Sequence, residues 1–427
     1  MKSKIRYLLR WTWGSACGRL AMVAVLAGLV PLNGAAAAPN LTIIAGRQPP
    51  YQTTAGILES ITCVSPVLCI AVGSRFDHDV NVPHDVNVPL IEKWDGTNWT
   101  AQTLASPAHS NVVFLNGAGI SCYSSAACMA VGDYLTDSWE FETLTEKWNG
   151  NIWAIQRAAP SADGSLQSVS CQLSICIAVG SSDERALIQR WDGTAWTVQA
   201  PTSLLRTGIN PLFGVSCSTP TACMAVGKTI GLHSSTALTV RWNGTVWSVT
   251  RLRVPTLADS ALASVSCVSP SVCIAVGSAI STSDIRPLAM EWNGTEWTNL
   301  EARAANTLNS TLTGVSCTSP STCVAVGFAW DNSNVYMALA ERWDGITWTV
   351  QATPDIPTTT RQATDSTEKT PGLPIGNFLN GVACYSPSGC IAVGNYMNKP
   401  PTNSSPNITL VEHWNGNTWA IQQTPTP

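Results

Sequence analysis

The sequence predicts an all-β chain: a seven-bladed β-propeller of four-stranded blades, with one disulfide per blade. Three observations predict it. A cysteine motif and a tryptophan motif alternate seven times along 427 residues. Each repeat reads as four short strands of four to six residues separated by turn residues. No twelve-residue window beyond the N-terminal segment carries the 3.6-residue periodicity of an amphipathic helix.

The cysteine motif runs "ITCVSPVLCIAVG" (61–73), "ISCYSSAACMAVG" (120–132), "VSCQLSICIAVG" (169–180), "VSCSTPTACMAVG" (215–227), "VSCVSPSVCIAVG" (265–277), "VSCTSPSTCVAVG" (315–327) and "VACYSPSGCIAVG" (382–394). The tryptophan motif, Trp-[Asp/Asn]-Gly-x-x-Trp, begins at residues 94, 148, 191, 242, 292, 343 and 414. First cysteines fall at 63, 122, 171, 217, 267, 317 and 384, so the period is near 50 with insertions. In the fifth copy "ALASVSC" alternates polar and apolar residues, "VSPSV" makes a turn, and "CIAVG" is an apolar run closed by glycine. "PLAMEW", "NGTE" and "WTNL" complete a second hairpin. Asn-Gly or Asp-Gly between aromatic-flanked strands signals a tight hairpin, because such turns need positive φ. Four strands per repeat at this period is a propeller signature; solenoid repeats are shorter and need distinct caps.

This layout resembles the kelch-like repeats of galactose-oxidase-type propellers over about residues 57–422. Kelch repeats carry a Gly-Gly pair after the second strand and no paired cysteines, whereas this chain has a single glycine there. The tryptophan turn also resembles the Asp box of sialidase-like propellers, with Asp or Asn moved next to Gly. The resemblance implies the fold and carries over no active-site residue. The expected blades span about 57–106, 115–159, 165–201, 210–253, 260–301, 310–354 and 378–422. A leader over 38–56 precedes them and a tail over 423–427 follows. The leader stretch 41–50 is expected either to fasten the last blade or to lie loose.

The N-terminus reads as a secretory signal over 1–37: Lys2, Lys4, Arg6, Arg10 and Arg19 precede an apolar stretch of thirteen, and "GAAAAP" offers cleavage after Ala37. Thirteen apolar residues are short for a membrane span. Cys17 leaves with the signal. Fourteen cysteines then remain in seven pairs: Cys63–Cys69, Cys122–Cys128, Cys171–Cys176, Cys217–Cys223, Cys267–Cys273, Cys317–Cys323 and Cys384–Cys390. An even count at fixed spacing in a secreted chain argues for disulfides across the first hairpin. A metal site needs four ligands, and a redox pair prefers Cys-x-x-Cys. Each bridge closes a loop of about seven residues, worth about 2–2.5 kcal/mol.

Without residues 1–37, 18 basic residues face 27 acidic ones, a net charge of −9. That disfavours nucleic acid and anionic membrane as partners. No apolar segment past residue 38 is long enough to span a bilayer. The expected product is secreted, extracellular and monomeric, without cofactor or metal.

In a propeller the first and third turns share one face, and the second turn and the crossover share the other. The cysteine and tryptophan turns are uniform; the opposite face carries variable loops such as 74–89, 133–143, 328–337 and 395–407, where binding is expected. Ligand-contact candidates there are Trp139, Trp330, Tyr134, Tyr336 and Tyr396. The fourteen tryptophans of the motif read more readily as packing than as sugar platforms. "HDVNVPHDVNVP" (78–89) reads as a slipped duplication rather than a His/Asp metal site, and the Thr/Pro-rich 355–374 as a flexible excursion. Arg190, Arg241 and Arg342, with Lys93, Lys147, Glu291 and His413 in the same slot, read as a solvated strand position. Five scattered histidines and no spare cysteine offer no sialidase or copper-oxidase site. The expected function is binding or scaffolding of an extracellular glycan or protein. The alternative is a glycan-acting hydrolase or lyase with loop carboxylates on the same face.

Overall fold

The computed structural model describes residues 56–77, 86–104, 107, 110–161, 163–199, 208–252, 259–281, 284–302, 309–332, 335–354, 356, 375–397 and 407–425. The expected signal and leader, the repeated hexapeptide over 78–85 and the Thr/Pro-rich stretch over 357–374 lie outside them.

The strands form seven consecutive four-stranded antiparallel units, each in the order first to fourth strand. Blade 1 runs from Gly56 to Gln102, blade 2 from Ser110 to Gln156, blade 3 from Gly164 to Val198 and blade 4 from Leu212 to Leu252. Blades 5, 6 and 7 run from Asp259 to Leu300, Asn309 to Gln351 and Ile375 to Gln422. In blade 5 the strands are Asp259–Ser269, Val272–Ile280, Ile285–Trp292 and Trp297–Leu300. The first and second strands are longer than the four to six residues expected, reaching 15 residues in Ser110–Ser124. Their pairing continues past the apolar run into sequence that has no alternation to announce it. Outer strands are short, three to six residues.

First strands neighbour one another around the ring, blade 7 against blade 1 included, so they are innermost. One apolar cluster fills each of the seven gaps between blades. Between blades 7 and 1 it joins Leu58, Leu90 and Trp99 to Ile391, Val393 and Val411. Among the described residues no strand is exchanged at this closure. Side-chain bonds hold it: Asn380 Nδ2 donates to Leu58 O at 3.0 Å, and Trp99 Nε1 donates to Gln422 Oε1 at 3.0 Å. The backbone N–H of Gly56 donates to Asn407 O.

Every first strand carries a register shift at the same level, as between Leu262 and Ser264 in blade 5. The glycine that ends the apolar run sits opposite it. A Cβ on Gly277 would lie 2.1 Å from Ala261 O, and five other blades repeat the clash. The single glycine of the motif is therefore the partner of a bulge. At the variable end, the first strand of every blade but blade 4 begins beside the third strand of the preceding blade. Asn309 Oδ1 accepts the Ile285 N–H at 2.9 Å and Ser260 Oγ accepts the Ala237 N–H at 3.0 Å. Between blades 6 and 7 the approach becomes a parallel ladder, Val335 with Ile375 and Tyr336 with Gly376, which fuses two blades into one eight-stranded sheet.

Candidate binding face

All seven cysteine pairs are bonded as disulfides, each across a directly opposed pair with Cα atoms about 4 Å apart. That separation belongs to the non-hydrogen-bonded positions of an antiparallel ladder, where side chains approach most closely. The second cysteine is in turn opposite the first tryptophan, and that tryptophan opposite the second. Cys267, Cys273, Trp292 and Trp297 form one row across all four strands of blade 5. The same row recurs in every blade. The two sequence motifs are thus one transverse feature of the folded blade.

The indole pairs sit 5.3–5.9 Å apart, tilted, and nine of the fourteen tryptophans are buried. They pack rather than present platforms. Within the turn, Asp192 Oδ1 accepts N–H bonds from Thr194 at 2.8 Å and Ala195 at 2.9 Å, and Gly193 has φ 104°. These backbone donors hold the exposed Asp192 carboxyl down at about 2. Asn243 makes the same bonds in blade 4 without a charge.

Two features of this face escaped the sequence reading. In blades 2 to 6 the serine before the first cysteine reaches the next blade: Ser216 Oγ accepts the Cys267 N–H at 2.9 Å, Ser266 Oγ that of Cys317 at 3.0 Å, and Ser316 Oγ that of Cys384 at 3.0 Å. The repeated "S-C" dipeptide was its signal. The slot before the first tryptophan is not merely solvated. Lys93 lies over the Trp148 ring, Lys147 over Trp191 and Arg241 over Trp292, at 5.3–5.5 Å, each on the following blade. In blade 7 the slot residue His413 meets Tyr385 Oη at 2.7 Å. A single strand's sequence cannot show what the neighbouring blade places over it.

On the opposite face the five aromatic candidates separate into two regions. In blade 2, Trp139 is 55% exposed and holds φ 64°. Its turn is tightly laced: Trp139 N–H donates to Thr136 O at 2.9 Å, and Thr136 Oγ1 accepts the Glu140 N–H at 3.2 Å. Nearby, Tyr134 Oη donates to Glu142 Oε2; burial first, then that carboxylate, pushes the phenol up to about 12. In blades 6 and 7, Trp330 and Tyr336 stack at 5.7 Å, and Tyr336 meets Phe378 at 4.8 Å. Phe328 completes the group with Ile280 and Ile285 of blade 5. Trp330 and Tyr396 are buried, so neither presents a ring face to solvent; Tyr336 is half-buried. Phe328 lies two residues before Trp330 on the same strand, but Tyr336 comes from the next strand and Phe378 from the next blade, and no spacing links these two to Trp330. Among the described residues no group of three or more His, Cys, Asp or Glu is placed to hold a metal, and no helix is long and apolar enough to cross a membrane.

No family model matches the chain, and no curated protein matches it in sequence. Among solved structures it is similar to YCF48 bound to D1 peptide, at 12% identity and TM-score 0.49, over 90% of this chain and 100% of that one. It is also similar to the WD40 β-propeller domain of Doa1, at 11% identity and TM-score 0.48, over 84% and 94% of the two chains. The β-propeller domain of the Trilobed protease from Pyrococcus furiosus, with an open velcro topology, gives 6% identity and TM-score 0.47 over 87% and 99%. At such identities the likeness is one of strand arrangement, and the chain is assigned as a seven-bladed β-propeller on its own seven four-stranded units.

Proposed function

We propose that the protein is a secreted propeller that binds an extracellular glycan or protein through its variable-loop face. Trp139 carries this reading. A large aromatic side chain is more than half exposed at the tip of a laced turn, in a left-handed backbone conformation that a bulky residue adopts at a cost. Rigid aromatic anchors of this kind supply contact area at little entropic cost. A disulfide in every blade suits an oxidising compartment, and the N-terminal signal pattern agrees with it.

The test is binding of the purified protein to a glycan array and to surface-protein fractions, alongside Trp139→Ala. Binding reduced about tenfold or more by W139A, with unchanged thermal unfolding, supports the reading. Equal binding by both proteins removes Trp139 from the site. Release of reducing ends from a polysaccharide panel would move the assignment to a glycan-acting enzyme.

A further inference from the structure

The residue two places before the first tryptophan of each blade is Glu92, Glu146, Gln189, Val240, Met290, Glu341 or Glu412. All seven are buried, and Glu92 and Glu146 are 0% and 1% exposed. Strand alternation fixes their direction. Leu90 shares a face with Glu92 and packs on Ile391 and Val411 of blade 7. Leu144 shares a face with Glu146 and packs on Ile70 and Ile91 of blade 1. Each carboxyl therefore enters the gap toward the preceding blade, as Val240 and Met290 do.

Gln189 shows what a polar group does there. Its Oε1 accepts the Ala159 N–H at 3.2 Å and its Nε2 donates to Ala159 O at 3.1 Å. Ala159 lies on the crossover into blade 3, six residues past Trp153. Counting six past Trp419 reaches Pro425 on the blade 1 side, a residue with no N–H to donate. Among the described residues neither carboxyl oxygen of Glu92 or of Glu146 has a hydrogen-bond partner. An ionised carboxylate enclosed in this way is very costly, whereas a neutral acid has the donor and acceptor of a carboxamide.

We propose that Glu92 and Glu146 are held as neutral carboxylic acids in the folded ring, in the place of the Gln189 carboxamide, so that blade-to-blade packing tightens in acid and loosens as pH rises. Burial pushes both carboxyls up to about 8 from 4.5. The unfolded chain loses these protons near 4.5 and the folded chain keeps them to about 8. Their contribution is thus complete below about pH 4.5 and is lost as pH climbs to about 8. Other groups face the same gaps. His413 and Tyr385 border the gap of Glu92, and Arg75 shares a strand face with Cys69 and Ala71, which line it; Lys93, Tyr134 and Glu142 border that of Glu146. Burial holds His413 low, which acts in the opposite sense in acid.

Comparison of the wild type with Glu92→Gln and Glu146→Gln cancels those other groups. Thermal unfolding between about pH 4 and pH 8.5 is the measurement. The expected result is equal Tm in acid and a Gln-variant Tm several degrees higher near pH 8. Parallel profiles would overturn the proposal. Should a variant fail to fold, the infrared spectrum of the folded protein decides, taken in a Glu59→Gln background because burial pushes Glu59 up to about 7. A protonated-carboxyl stretch persisting at neutral pH supports the proposal, and its absence sinks it.

Discussion

Gly277 shows how tightly a single residue is fixed here. Its missing Cβ lets the bulged first strand pass 2.1 Å from where that atom would be, and the atom in the way is a backbone carbonyl that cannot rotate aside. Gly277→Ala is expected to cost about 3 kcal/mol, the upper part of the range for overpacking, measured by chemical denaturation. Ser266 acts more mildly. Ser266→Ala leaves the Cys317 N–H without its acceptor and is expected to cost about 1–2 kcal/mol. A similar loss in Ser266→Thr, which keeps the hydroxyl, would mean that packing rather than the hydrogen bond was being read.

At the scale of the blade, the row of two cysteines and two tryptophans joins the inner hairpin to the outer one. The disulfide constrains only the inner pair; the indoles carry the same level out to the fourth strand, which is too short to hold by its own ladder. Reduction of one bridge should therefore weaken a blade without dissolving it. Cys267→Ala with Cys273→Ala is expected to lower stability by about 2 kcal/mol. Non-reducing peptide mapping of the unaltered chain should link Cys267 to Cys273 and no cysteine across blades. The turn chemistry is as local: three blades use Asp and four use Asn for the same pair of accepted N–H bonds. Asp192→Asn should consequently be tolerated, and the blade loses only a charge.

At the scale of the ring, the described closure between the last blade and the first rests on side chains and one backbone hydrogen bond. Blades 1 and 7 meet through an apolar cluster, a few side-chain hydrogen bonds and one buried glutamate. Removal of residues 375–427 would uncover Leu58, Leu90 and Trp99 on one side and Val324, Val326 and Ala340 on the other. The expected outcome is aggregation and loss of a single cooperative transition, seen by size-exclusion chromatography and calorimetry. A soluble, cooperatively unfolding six-bladed remnant would show that the ring tolerates an open side.

The sequence by itself determined the blade. Cysteine spacing, Asp-Gly and Asn-Gly turns and the count of seven are local signals, since a turn depends on the φ of its own residues and a short disulfide on its own hairpin. Tertiary structure alone decided what lies between blades. Trp330 and Tyr396, read as surface aromatics, are buried by residues of other strands and blades, while Trp139 stays exposed because its turn projects beyond the sheet. Lys93, read as solvated, rests on a tryptophan 55 residues further along the chain. Glu92 and Glu146 look like ordinary polar strand positions until the preceding blade closes over them. Each of these outcomes depends on side chains that meet only when the ring closes, and no periodicity within one repeat encodes such a meeting.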